Sequence, residues 1–406
     1  MLKITALLRS YFPIRLITAA NAMTIFPGQD TASISERLAR LLGYIESDPG
    51  NAALLGDAAA CAFDEQRLDL CEELLARQQA LGAVPPASMH LRGLCAMAGG
   101  RFEEALRAFA ALPDFQSDPV ILYNSAYAHA LLGHSNEAIA LLGDDIFAVV
   151  PQAITLKLHL LHHLGLLDEV IEFGARHADH PQVGAEVCGC VATALFDAED
   201  IAGAGEFAAR AMNVSDGLTV SGLLALNDGH SDDAIALFAR ALEMRPTNSR
   251  AHLGNGLALL EQHQFAQAAQ QIDVAAQSFG NHAGSWVAAG WAHLLNGDLA
   301  QARARLEQGG RIDRGFAEVP GSLAVVALKE GKLDEARTQA KIALRLDPAC
   351  LSATLAQSLL EAQAGHQDVA NVILDAALHR PVDAQGKTIA QALARIHSLR
   401  FKNRPN

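Results

Sequence analysis

The chain has 406 residues, a formal net charge of −14 and a hydrophobic share of 50%. An acidic balance of this size speaks for solubility and against nucleic acid or anionic membrane as partners, because both attract cationic surfaces. Aromatic residues make up only 5% and alanine and leucine dominate, so helix is favoured over strand.

Residues 1–32 are expected to form an N-terminal leader or arm. Lys3, Arg9 and Arg15 punctuate its leucines and isoleucines, and Pro13 interrupts them. Ala20-Asn21-Ala22 has the small-residue look of a cleavage site, but Arg15 falls inside the apolar stretch that should precede it. A leader, an amphipathic arm that seats in the chain's own groove, and an overlong start before Met23 all remain open. No run of about 20 apolar residues is present, so no transmembrane helix is expected.

The six cysteines include no C-x-x-C pair and sit in apolar helical contexts. Free cysteine behaves there as a small hydrophobe, which favours a reducing, cytoplasmic setting. Export or peripheral membrane association through residues 1–28 is the alternative. Cys188 and Cys190 lie two apart on an expected helix and so point in different directions.

Residues 33–47 carry Leu38, Leu41, Leu42 and Ile45 on one stripe, which predicts a helix ended by Asp48-Pro49. After it an alanine recurs at Ala204, Ala234, Ala268, Ala302, Ala336 and Ala370, with steps of 30 and then 34 residues. Extended backwards, the same beat passes through Val170, Ala138 and Ala105. A fixed period of this size indicates a stack of small units. With the alanine at position 20, units start near Asn51, Pro86, Pro119, Pro151, Ala185, Ser215, Ser249, Ala283, Ala317 and Leu351.

Position 15 is then glycine at residues 100, 133, 165, 229, 297, 331 and 365, and is replaced by Glu65, Glu199 and His263 in three units. Glycine there can take the left-handed conformation that ends a first helix. Ser135, Asp168, Ser231 and Asp334 follow as candidate caps of a second helix. Position 8 is small (Gly93, Gly222, Gly256, Gly290) and position 24 is large (Phe109, Phe238, Ile272, Leu306), which predicts closely approaching antiparallel helices. Leu158 and Gly174 break this rule in the unit from Pro151. Pro181, Pro246, Pro348 and Pro381 stop second helices. The short 30-residue step predicts a tight connection around Met212–Gly217.

This pattern resembles the tetratricopeptide repeat, whose marks are W-x2-L-G-x2-Y, then A-x3-F, then P. The matching runs are Leu218, Gly222, Ala225, Ala234, Phe238, Pro246, and Trp286, Gly290, His293, Ala302, Leu306. A third is Leu323, Ala324, Ala336, Pro348. The resemblance covers residues 51 to 384 and implies an all-α, helix-turn-helix superhelical solenoid of about ten degenerate repeats. Residues 33–400 are expected to form one solenoid domain. Its last element is a C-terminal capping helix at 386–400, with Ile389, Leu393, Ile396 and Leu399 on one face.

No catalytic constellation is evident, so no enzyme activity and no cofactor are expected. His159, His162 and His163 share one helix face, but no carboxylate completes a metal motif, since Leu160 stands where H-E-x-x-H needs glutamate. A solvated or partner-facing histidine cluster is the preferred reading. Asp144-Asp145 and Asp232-Asp233 are placed at helix starts, where acids favour the macrodipole. Gly184, Gly189, Gly203 and Gly205 follow no expected strand, so no phosphate loop is indicated. Of the family's carboxylate clamp only Asn124 is present, so that mode is not supported.

In the resembling family the first helices line a concave wall. Positions 5, 9 and 12 then place Tyr123, Tyr127, His159 and His162 on a polar-aromatic front half. Leu223, Leu253, Leu257, Val287, Trp291, Leu294 and Val325 form an apolar rear trough. Close winding of neighbouring first helices is the competing fate of these leucines. The expected partner is a protein or peptide segment, amphipathic or hydrophobic, with self-association possible. The resemblance implies a scaffold or adaptor in the assembly or regulation of a larger bacterial complex. A chaperone that shields hydrophobic client segments for secretion or membrane assembly is the alternative.

Overall fold

The computed structural model describes residues 31–82 and 84–380. The expected arm at 1–30 and the capping helix at 386–400 lie outside the described residues. Among the described residues there are 22 helices and no strand, and none is long and apolar enough to cross a membrane.

The chain divides after Asp200 into two compact units. The first begins with α1 (Thr31–Ser47), which buries Leu38 and Ile45. It continues with α2 (Ala52–Asp64) and α3 (Leu68–Ala80), α4 (Pro86–Ala98) and α5 (Phe102–Ala110), α6 (Pro119–Leu132) and α7 (Ser135–Leu141). A short α8 (Asp144–Val149), α9 (Gln152–His163), α10 (Leu167–His177) and α11 (Gly184–Asp197) complete it. The second unit holds α12 (Ile201–Arg210) and five hairpins. These are α13 (Ser215–Asn227) with α14 (Ser231–Met244), α15 (Ser249–Glu261) with α16 (Phe265–Phe279), and α17 (Ala283–Leu295) with α18 (Leu299–Ile312). α19 (Glu318–Lys329) with α20 (Leu333–Leu346) and α21 (Leu351–Gln363) with α22 (Gln367–Leu378) follow. The first helix of every hairpin begins within one residue of the expected unit start.

The marker alanines are the packing points of the hairpins. Ala105, Ala138, Ala234, Ala268, Ala302 and Ala336 are all fully buried. Opposite them the small position 8 meets the large position 24. A Cβ added at Gly93 would lie 2.2 Å from Phe109 Cε1, and one at Gly256 would lie 2.3 Å from Ile272 Cγ1. Phe238 is wedged between two glycines. A Cβ at Gly222 on its own hairpin would come within 2.7 Å of its ring, and one at Gly254 on the next hairpin within 2.4 Å.

Leu158 and Gly174 turn out to be one reversal rather than two lapses. Leu158 is fully buried, and a Cβ on Gly174 would lie 3.4 Å from its Cδ2 and 2.2 Å from Val191 Cγ2. The large residue has moved to the first helix and the small one to the second. The expected tight connection before α13 is also present: a Cβ at Gly217 would lie 2.1 Å from the Ala211 carbonyl oxygen.

All seven position-15 glycines have positive φ, between 75° at Gly100 and 86° at Gly365. Glu199 and His263 adopt the same conformation without being glycine, at 62° and 61°. In the unit from Asn51 the left-handed residue is Gln66, at 61°, and not Glu65 as the register suggests. Its N–H closes on Phe63 O, and the next N–H, of Arg67, reaches back to Ala62 O.

The caps lie elsewhere than expected. Ser135 and Ser231 are the first residues of their helices, and Asp168 and Asp334 the second, so none is the cap. The residue that precedes each second helix follows the left-handed residue of the turn, and Asp298 is one that caps with its side chain, at Gln301 N. Side-chain capping falls mainly on first helices, through Asn51, Asp118, Asn248 and His282. Acids in the first turns, including Asp144-Asp145 and Asp232-Asp233, still face the positive end of the dipole.

Candidate functional site

The first helices of the second unit carry the row of large apolar residues that the register brings forward. Leu223 on α13, Leu253 and Leu257 on α15, and Trp291 and Leu294 on α17 are all half-buried. Leu359 on α21 is 39% exposed. Leu253 packs beside the core of Ile272, Trp286 and Ala289. Trp291 and Leu294 pack beside Val325 and Leu328. Leu223, Leu253, Trp291 and Leu294 therefore each rest one edge on the core and show the other.

Val287 and Val325 differ. They are 8% and 3% exposed, so the shorter side chain is enclosed where a leucine at an equivalent position protrudes. Their place is packing between hairpins. Trp291 is also fixed: its Nε1–H donates to Ser322 Oγ at 2.8 Å, and Ser322 in turn donates to Ser352 Oγ at 3.2 Å. Ser352 donates to Glu318. This hydrogen-bonded line joins three consecutive first helices beneath the apolar row.

The front-half residues do not join one surface. Tyr123 and Tyr127 are both only 4% exposed. Their rings stack, with centroids 6.4 Å apart and planes 7° apart, and burial pushes the Tyr123 hydroxyl above its ordinary range. They serve packing within α6 and its neighbours. The three histidines diverge. His159 Nε2 lies 3.7 Å from Cys190 Sγ, His162 Nε2 lies 2.9 Å from Asp197 Oδ2, and His163 is exposed. His159 and His162 thus tie α9 to α11. Among the described residues no group of three or more His, Cys, Asp or Glu is placed to hold a metal ion.

Sequence reasoning misses the polar seams between hairpins. Buried Asn248 donates to Ser215 Oγ at 2.9 Å and to Thr219 Oγ1 at 3.0 Å, and its Oδ1 accepts from Ala251 N. Arg305 pairs with Asp273 through Nε at 2.8 Å and Nη2 at 2.9 Å, and His293 Nε2 meets the same carboxylate at 3.1 Å. Burial alone would raise the Asp273 carboxyl, but the bonds from Arg305 and His293 outweigh it and hold it below its ordinary value. Arg303 bridges Glu330 and Glu335. The available signal was opposite charge recurring about one repeat apart, as in Asp273 and Arg305.

Comparison with known proteins agrees with the hairpin geometry. A tetratricopeptide repeat family profile matches residues 220–283, 253–310 and 322–380. No curated protein matches the chain in sequence. Among solved structures, a monomeric IFIT1 mutant with m7Gppp-AAAA is similar at TM-score 0.50 and 12% identity, covering 91% of this chain and 95% of that one. The Cut9 component structure, the APC/C hetero-tetramer Cut9–Hcn1, scores 0.47 at 12% identity over 90% and 87%. MamA from Desulfovibrio magneticus RS-1 scores 0.36 at 15% identity, covering 41% of this chain and 96% of that one. At 12% identity the likeness to the IFIT1 mutant is one of fold alone. The alanine-marked hairpins, their left-handed turns and the matched profile together identify residues 220–310 and 322–380 as tetratricopeptide repeats.

Proposed function

We propose that the chain is a non-catalytic scaffold or adaptor that binds an apolar or amphipathic protein segment along the first-helix face of its second unit. The observation that carries this reading is the half-buried row of Leu223, Leu257 and Trp291, continued by exposed Leu359. On α13, α15, α17 and α21 this equivalent position stays apolar although water reaches it, while on α19 between them it is the enclosed Val325. Complete burial of one such leucine or tryptophan contributes roughly 1.5–3 kcal/mol before the cost of ordering. A helix with apolar residues at i, i+3, i+4 and i+7 suits a row of this kind. The net charge of −14 makes nucleic acid a poor match for this chain.

The test compares the full chain with a Leu257→Asp/Leu359→Asp variant. Neither side chain is enclosed, so the variant should keep its helical circular dichroism. A partner captured by the parent chain and lost by the variant supports the row as the binding face. Retention of every partner by a folded variant places binding elsewhere. Capture of many unfolded hydrophobic chains of unrelated sequence replaces the adaptor reading with that of a shielding chaperone.

A further inference from the structure

Cys71 on α3 and Cys95 on α4 bring their Sγ atoms to 3.1 Å, although they are 24 residues apart in sequence. Cys71 is 0% exposed and Cys95 1%. Their contact crosses the seam between the second helix of one hairpin and the first helix of the next. At one seam of the second unit, between the repeats from Ser249 and Ala283, the equivalent positions are Ala269 and Ala292, both buried in one apolar cluster. Two methyl groups thus suffice at one such seam, whereas here two sulfur atoms face each other at 3.1 Å. None of the six cysteines is in a disulfide in the structure.

We propose that Cys71 and Cys95 are a reversible dithiol–disulfide pair, closed by exchange with a small-molecule disulfide such as glutathione disulfide, that staples two neighbouring repeats. One cysteine thiolate attacks the small disulfide, forms a mixed disulfide and expels one thiolate. The second cysteine gives up its proton, attacks the protein-side sulfur of the mixed disulfide and expels the other. The protein loses two electrons and two protons, and the oxidant leaves as two thiols. Closing the bond needs a sulfur shift of about 1 Å from the present contact.

The hydrogen bond with Cys95, and burial after it, push the Cys71 thiol above its ordinary range. The closed seam is thus unreactive, and exchange proceeds through local opening. Repeat arrays hold together through nearest-neighbour interfaces, so a covalent bond at one seam removes one route by which the array opens.

The test equilibrates the full chain in glutathione buffers from fully reduced to fully oxidised, quenches with acid, and alkylates under denaturing conditions before mass mapping. In reducing buffer all six cysteines should alkylate. In oxidising buffer Cys71 and Cys95 should lose alkylation together and appear as one linked peptide, lighter by two hydrogens. The thermal midpoint should rise by several degrees on closure. A Cys71→Ala/Cys95→Ala variant, which copies the alanine seam, should fold and lose this redox dependence. The proposal is overturned if both residues still alkylate in fully oxidised buffer at equilibrium. It is overturned equally if each carries its own glutathione or pairs with another cysteine.

Discussion

Gly254→Ala isolates the close approach between hairpins. The added Cβ would sit 2.4 Å from Phe238 Cζ and 2.6 Å from Cε1, and Phe238 is fully buried. Both ring atoms are ones a leucine lacks. Overpacking of this kind costs about 1–3 kcal/mol. Against it, alanine for glycine inside a helix contributes about 1 kcal/mol. In the parent chain the clash should win, with a net loss of up to about 2 kcal/mol. In a Phe238→Leu background the clash is gone, and the same Gly254→Ala change should stabilise by up to about 1 kcal/mol. The sign reversal is read as the coupling term of a double-mutant cycle, from urea midpoints followed by far-ultraviolet circular dichroism. Equal signs in both backgrounds, or a coupling below about 0.5 kcal/mol, would refute the wedge.

Three further outcomes follow from the turns and seams. His263 sits at φ 61°, so His263→Gly should raise the unfolding midpoint by an amount worth up to about 1 kcal/mol, while Gly331→Ala at φ 77° should lower it by a similar amount. Asn248→Ala removes a helix cap and leaves Ser215 and Thr219 each short of a donor; a loss of roughly 2–3 kcal/mol is expected, and a loss under about 0.5 kcal/mol contradicts that role. The hydrogen bond from Arg303, aided by Lys332, holds the Glu330 carboxyl down to about 2 against an ordinary 4.5. A depressed folded value means that the stabilisation is complete above pH 4.5 and is lost as pH falls toward 2. Glu330→Gln should therefore reduce the acid-dependent loss of stability in that window, measured as unfolding midpoint against pH.

Legibility in the sequence followed periodicity. The marker alanines, the turn glycines and the helix starts repeat at a common spacing, so each unit corroborates the others. Gln66 escaped because its turn has no glycine and the register there slips by one residue. Leu158 and Gly174 look like two separate departures when positions are judged singly; their volumes make sense only as a pair with Val191. For the candidate face, the register identifies which side of a helix a residue occupies, but not how near the next first helix comes. That distance separates buried Val287 and Val325 from half-buried Leu223 and Leu257. It also explains Tyr123 and Tyr127, whose rarity as aromatics suggested a partner but whose rings pack inside the unit. The caps were misplaced because polar residues after a glycine turn suit either a cap or a first turn. Only backbone geometry distinguishes the two.

The Phe238 wedge has a consequence for how the repeats are ordered. Its ring needs a glycine on its own first helix and another, Gly254, on the first helix that follows. The equivalent place in other repeats is held by Asn124, Val220, Ala288, Ser322 or Ala356, and each of these carries the Cβ that would crowd the ring. The repeat from Ser215 is thus matched better by the repeat from Ser249 than by those that begin with α6, α13, α17, α19 or α21. Neighbouring repeats match like the facing ends of dominoes. The array is in this sense a written order, and a shuffled chain of the same hairpins would misfit at this join first.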